Sequence, residues 1–208
     1  MMKLPLSILT LNKKNITDFA AERNELLKSA KYEWVFFLDS DEKITAKSWL
    51  EIKKIIEENK YDLVSVKRED YFHGQKISHG EAGQMRLIRM GKKDKIAWER
   101  PVHEKVTESK SLQVLKSQII LQHYAHKNIE SFLEKIAKYA RLEAEFRYQH
   151  KIKFSLFELL FFPVGKFIVN YFWRLGFLDG FRGIIYAGLM SLHSFLVRVY
   201  LYELEQKN

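Results

Sequence analysis

The chain has 208 residues, 47% of them hydrophobic, and a formal net charge of +9. That is enough for one sizeable domain or a domain with an appendage, and too apolar for global disorder. Cysteine is absent, which excludes disulfides, thiolate metal sites and a cysteine nucleophile. The basic balance suits phosphorylated substrates, anionic lipid or nucleic acid without choosing among them. No Lys/Arg-rich block resembles a nucleic-acid arm, and residues 1–11 do not read as a signal peptide.

Residues 6–11 read as a strand. Residues 18–30 read as a helix with Phe19, Leu26, Leu27 and Ala30 on one side. Residues 34–38 are a continuous apolar run, the pattern of a buried strand, and it ends abruptly in Asp39, Asp41 and Glu42. Thr45 is placed to cap a helix running to Asn59, with Trp49, Ile52, Ile55 and Ile56 spaced three and four apart. Short strands are expected at 62–66, 85–90 and 112–124, the second placing Arg86 and Leu87 on opposite faces. Strands alternating with helices, then strands in succession, suit an α/β sheet with a mixed edge. Asn128 opens a long helix to about His150, apolar along Phe132, Leu133, Ile136, Tyr139, Ala140 and Phe146 and charged elsewhere.

Composition shifts near Lys151. Residues 151–208 carry 14 of the 29 aromatics but only seven Lys/Arg and four Asp/Glu. Two regions follow from this, 1–125 mixed α/β and 126–208 helical. Pro163 and Gly176 interrupt the apolar tail, and Asp179, between Gly176 and Gly180, is expected to cap the next helix. The stretch 183–197 is uncharged but short for a bilayer, and 154–173 contains Glu158 and Lys166. Aromatic density with scattered Lys and Arg fits helices lying in a membrane interface; a soluble helical subdomain is the other reading. Because the aromatics gather in this tail instead of interleaving with basic residues on a strand, no nucleic-acid partner is expected.

Ligands of open α/β sheets bind outside the carboxyl ends of strands, and an Asp-x-Asp there suits a hard divalent cation held against a diphosphate. Arg23-Asn24, one helix earlier, is placed to contact a phosphate or to order the acid loop. Trp98-Glu99-Arg100-Pro101-Val102-His103-Glu104 supplies a second acidic site, whose carboxylate or imidazole suits deprotonation of an acceptor hydroxyl. His123 and His126, near Tyr124, are weaker candidates.

Taken in order, five blocks resemble family 2 glycosyltransferases, in particular the branch similar to lipopolysaccharide-core β-glycosyltransferases. They are Asp18-Phe19-Ala20 with Arg23-Asn24, the run from Trp34 to Glu42, Met85-Arg86-Leu87-Ile88-Arg89, Trp98 with Val102-His103-Glu104, and Gly176-Phe177-Leu178-Asp179-Gly180. The resemblance implies a GT-A-like mixed sheet flanked by helices, followed by the helical region. It implies a nucleoside-diphosphate-sugar donor, Mg²⁺ or Mn²⁺, and inversion at the sugar carbon. It also implies work at the cytoplasmic face of a membrane on a lipid-linked or envelope glycan. Asp39 and Asp41 would then fall on the metal and diphosphate motif. Arg23, Asn24, Asp39, Arg86 and Trp98 are the expected substrate or diphosphate contacts, and Glu104, with His103, is the expected base.

One block departs from the pattern. The family's opening strand, helix and second strand with an acidic nucleotide-binding loop have no full counterpart, since the chain passes almost directly from Leu11 to Asp18. Either residues 6–11 are the opening strand or they are a later one. The sheet is therefore expected to be incomplete at its N-terminus. The expected product is an active transferase with a shortened nucleotide pocket, or a non-catalytic remnant or membrane-associated binding subunit that needs a protein partner for the missing half.

Overall fold

A computed structural model describes residues 4–13, 16–83, 85–100, 105–107, 111–126 and 128–207, with the backbone alone at 125–126. It divides into two compact units. The first holds residues 1–69 and 85–123, the second 70–84 and 124–208.

The first unit opens with β1 (Leu6–Leu11), α1 (Phe19–Lys28) and β2 (Trp34–Asp39). Asp18 starts α1, its carboxylate accepting the Ala21 N–H at 2.9 Å. β1 pairs in parallel with β2, from Leu6 opposite Trp34 to Leu11 opposite Asp39. Among the described residues no strand lies between β1 and α1. A two-residue turn at Ser40 and Asp41 leads into β3 (Glu42–Ile44), which sequence periodicity did not indicate. Thr45 caps α2 (Ala46–Glu58), and Asn59 closes it in the left-handed conformation, φ 47°. β4 (Leu63–Phe72) and β9 (Val114–His126) begin in this unit and end in the other. Also in this unit are β6 (Arg86–Lys92) and the small hairpin of β7 (Trp98–Glu99) and β8 (Lys105–Val106).

The strand order is β1-β2-β6-β4-β9-β3, with β6 antiparallel to both β2 and β4. Alternation along β2 sorts the core onto two faces. Trp34 and Phe36 join Val64, Val66, Met90, Ile119 and Leu121 beneath Ile52, Ile55 and Ile56 of α2. Val35 and Phe37 face the other way, onto Ala20 of α1 and Trp98 of β7. Phe36 and Phe37 are fully buried, each stabilising the fold by roughly 1.5–3 kcal/mol. This is the α/β mixed sheet flanked by helices that the sequence led us to expect.

In the second unit the end of β4 turns back as a hairpin onto β5 (Gln75–Lys76), followed by the single turn α3 (Gly80–Gly83). Asn128 caps α4 (Ile129–Gln149), accepting the Ser131 N–H at 2.9 Å. α5 (Leu156–Ile168) runs through Pro163 and continues into a π-helical turn, Val169–Trp173. A 3₁₀ turn, Gly176–Asp179, then leads to α6 (Phe181–Gln206). Phe72, Ile77, Ala82, Phe132, Ile136 and Tyr186 form the core. The stretches Leu156–Trp173 and Phe181–Gln206 are each long and apolar enough to cross a membrane, by length and composition only. The first reaches that length because the π-helical turn prolongs α5, which Pro163 does not end.

Candidate functional site

The acids sit where β2 leaves the sheet. Asp39 is the last residue of β2 and shares a face with Val35 and Phe37, the face covered by α1. Arg23 on α1 is 1% exposed and donates through Nη2 to both oxygens of Asp39, at 2.8 and 3.1 Å. Arg89 on β6 donates to Asp39 at 2.9 Å and lies 3.4 Å from Glu42. Glu42 in turn accepts the Asp39 N–H at 2.9 Å, which closes the Ser40–Asp41 turn.

Arg89, next to Met90 of the α2 side, faces the α1 side and lies at a bulge in β6. Val64 pairs with Met90 while its neighbour Ser65 pairs with Ile88, so Arg89 is the extra residue. The bulge breaks the two-residue alternation: Ile88 packs on the α1 side and Met90 on the α2 side. Both guanidiniums also stack near Trp98, with Arg23 5.0 Å and Arg89 5.9 Å from the ring. Asn24 fixes Trp98 from α1, accepting its N–H and donating to its carbonyl, both at 2.9 Å.

The electrostatics follow from this packing. Burial pushes the Asp39 carboxyl up, but Arg89 and then Arg23, with His123, outweigh it and hold its pKa below the ordinary carboxylate value. The Glu42 side chain is fully buried. Burial, reinforced by the Asp39 charge, pushes its carboxyl above the ordinary glutamate value against the pull of Arg89. Asp41, on the turn, has His123 Nε2 at 3.6 Å. The pairing of β3 with β9 sets Glu42 opposite His123 and so brings that histidine to the acids.

Arg23, Asn24, Asp39 and Trp98 therefore come together, with Asp41 beside them. Arg86 does not join them; its guanidinium donates to the carbonyls of Ser65 and Ser117 on β4 and β9. His103 and Glu104, with Pro101 and Val102, lie outside the described residues, as does the side chain of His126. Arg89, Glu42 and His123 are the partners that the sequence did not single out as a group. Asp179 does not cap α6, whose start has no side-chain cap. It accepts instead from the Ser78 and His79 N–H groups, the shorter at 2.8 Å, and from His79 Nδ1 at 3.1 Å.

Among the described residues no group of three or more His, Cys, Asp or Glu is placed to hold a metal ion. A hard cation that takes ligands from a diphosphate and water needs only one or two carboxylates. The turn offers Asp41 and, behind it, Asp39, whose oxygens already accept from two guanidiniums.

Residues 4–109, half of the chain, match the family model for glycosyl transferase family 2. A TPR repeat-containing protein of Synechococcus elongatus is 29% identical over 93 residues, 44% of this chain and 22% of that protein. The chain thus spans about a fifth of the length of that relative. Two crystal structures of S. aureus TarS 1–349, alone and in complex with UDP, each align at 15% identity with a TM-score of 0.33. They cover 92% and 95% of this chain and 72% and 74% of theirs. The match over residues 4–109 takes in β1, the acid turn, the bulged β6 and Trp98 together, and the chain belongs to glycosyl transferase family 2.

Proposed function

We propose that this chain transfers a sugar, with inversion, from a nucleoside-diphosphate-sugar to a lipid-linked or cell-envelope glycan at the inner face of the cell membrane. The observation that carries this reading is the Asp39–Asp41 turn at the carboxyl end of β2, tied to Arg23 and Arg89, in a chain of this family. Mg²⁺ or Mn²⁺, when bound, would neutralise charge on the diphosphate leaving group. Asp41 is the carboxylate we assign to hold it, with Asp39 kept ionised behind it.

Arg23 and Arg89 orient Asp39 and present positive charge beside the place where the diphosphate leaves. Asn24 and Trp98 hold α1 and β7 together under that site. Glu104, with His103 adjacent, is assigned the base that takes the acceptor hydroxyl proton. The acceptor oxygen then bonds to the sugar carbon as the bond from that carbon to the diphosphate oxygen breaks, and the nucleoside diphosphate departs.

A second reading is a membrane-associated binding subunit that needs a partner chain. It draws on the two guanidiniums already engaged with Asp39. Calorimetric titration of UDP and UDP-sugars, with and without Mn²⁺, into the parent and the Asp39→Ala/Asp41→Ala variant separates the two. Metal-dependent binding lost in the variant supports the transferase. Absence of binding in a folded parent moves the assignment to the partner-dependent subunit or to a different nucleotide.

A further inference from the structure

Water-facing helices carry polar residues on their outer side, and α5 does the reverse. Leu156, Phe157, Leu160 and Phe161 recur at helical spacing and are exposed, and Trp173 and Phe181 beyond them are 84% and 80% exposed. Only 11% of the Leu156–Trp173 window is buried within the protein, against 33% of the α6 window. The charges around this face are sorted by sign. Residues 151–182 hold five Lys/Arg and two acids, and both acids are engaged within the unit. Glu158 lies 3.4 Å from Arg198 and 3.9 Å from Arg147, and Asp179 binds the 78–79 backbone. Lys166 pairs with Glu81 at 2.6 Å. Lys151, Lys153, Arg174 and Arg182 form no ion pair among the described residues.

α6 is built differently. It packs against both α4 and α5, and its Arg198 is 5% exposed. The Arg198 guanidinium donates to the Ser194 carbonyl at 2.7 Å and sits 4.5 Å from the Phe162 ring. A helix packed on the charged helix α4, with a buried arginine within it committed to neighbours in the same unit, is a scaffold.

We propose that the exposed apolar face of α5 and of the turns after it lies flat in one leaflet of an anionic membrane, held by its rim of Lys and Arg, while α6 stays packed in the protein and does not cross. This rests on the membrane attachment read above and on nothing about catalysis. Anionic headgroups around an apolar interior match an aromatic face whose rim carries an excess of cations. A second copy of this chain would set those cations against each other.

The test uses the full chain with vesicles of phosphatidylcholine, alone or with phosphatidylglycerol. The parent is expected to sediment with the anionic vesicles, roughly tenfold or more tightly than with the neutral ones, and to be released by salt. Trp173→Asp/Phe181→Asp, at positions already exposed, is expected to weaken that binding by roughly tenfold or more. Since the chain has no cysteine, Lys153→Cys, Arg182→Cys and Gln206→Cys report topology to an impermeant maleimide. All three react from outside intact vesicles if α5 and α6 both stay on one side. Protection of Arg182→Cys or of Gln206→Cys would mean a crossing helix and overturn the in-plane anchor, leaving membrane attachment standing. Vesicle binding unchanged by the aspartates would place the attachment elsewhere. No vesicle binding, with an oligomer that the aspartates dissolve, would assign the face to a second copy and overturn the membrane reading as well.

Discussion

Arg23 holds Asp39 by both oxygens from one nitrogen, at 2.8 and 3.1 Å, across 16 positions of sequence. The arginine is buried on α1 and the aspartate ends β2, so this pair couples the helix to the acid turn. Removing one partner of a buried pair leaves the other uncompensated. Arg23→Ala is expected to cost about 3 kcal/mol, read by urea denaturation. An effect below 0.5 kcal/mol would show that Arg89 alone suffices for Asp39.

Asp39 and Glu42 make opposite contributions to the dependence of stability on pH. The pKa of Asp39 is held below its ordinary 3.8. Its contribution is complete above that value and is lost as pH falls through the depressed pKa. The pKa of Glu42 is raised above its ordinary 4.5. The folded chain therefore holds an extra proton between 4.5 and the raised value, and stability falls as pH rises through that window. Relative to the parent, Glu42→Gln is expected to gain stability as pH rises from 4.5, and Asp39→Asn to lose it as pH rises from the depressed Asp39 pKa up to 3.8. Chemical denaturation of both variants across that range checks the two signs.

Asn24 satisfies both backbone groups of Trp98. Asn24→Ala is expected to cost about 2–3 kcal/mol, since each buried backbone group left unpaired carries about 1–3 kcal/mol. Asn24→Asp should be no better, because a carboxylate cannot donate to the Trp98 carbonyl. Thermal denaturation of both tests this, and full retention of stability by Asn24→Asp would contradict the bond assignment.

Asp179 gathers three donors from residues 78 and 79. Asp179→Ala should release that segment locally, without unfolding the first unit. The expected signature is faster amide hydrogen exchange at Ser78 and His79, with protection along β2 unchanged.

Gly183 opens α6 against the 3₁₀ turn. A Cβ there would overlap the carbonyl oxygen of Gly176, and backbone cannot give way as a flexible side chain can. Gly183→Ala is expected to destabilise the protein by about 1–3 kcal/mol, whereas Gly188→Ala, with nothing near its Cβ, should be neutral or better. Equal thermal stability of the two variants would contradict this packing.

Local chemistry made much of this fold legible. Thr45 caps its helix as the sequence predicts, and Asp18 and Asn128, where the sequence starts two further helices, are their caps, because each needs only its own helix. The apolar run ending in Asp39 is a buried strand, because five consecutive apolar residues require cover on both faces. The gathering of Arg23, Asn24, Asp39 and Trp98 was foreshadowed by residue type, although no contact among them was visible.

The sequence by itself determined the longer helices and strands of the sheet and the acid turn, since these depend on neighbours a few positions away. Tertiary structure alone decided the rest, because it depends on register between distant strands. The β2–β6 pairing, Phe36 opposite Met90, brings Arg89 to the end of β2 and to Asp39. The β3–β9 pairing brings His123 to Asp41. Residues 70–84 belong with the C-terminal helices although composition shifts only near Lys151. Asp179, two residues before α6, commits its carboxylate to a segment 100 positions away, since a turn between helices leaves it facing whatever backbone packs there.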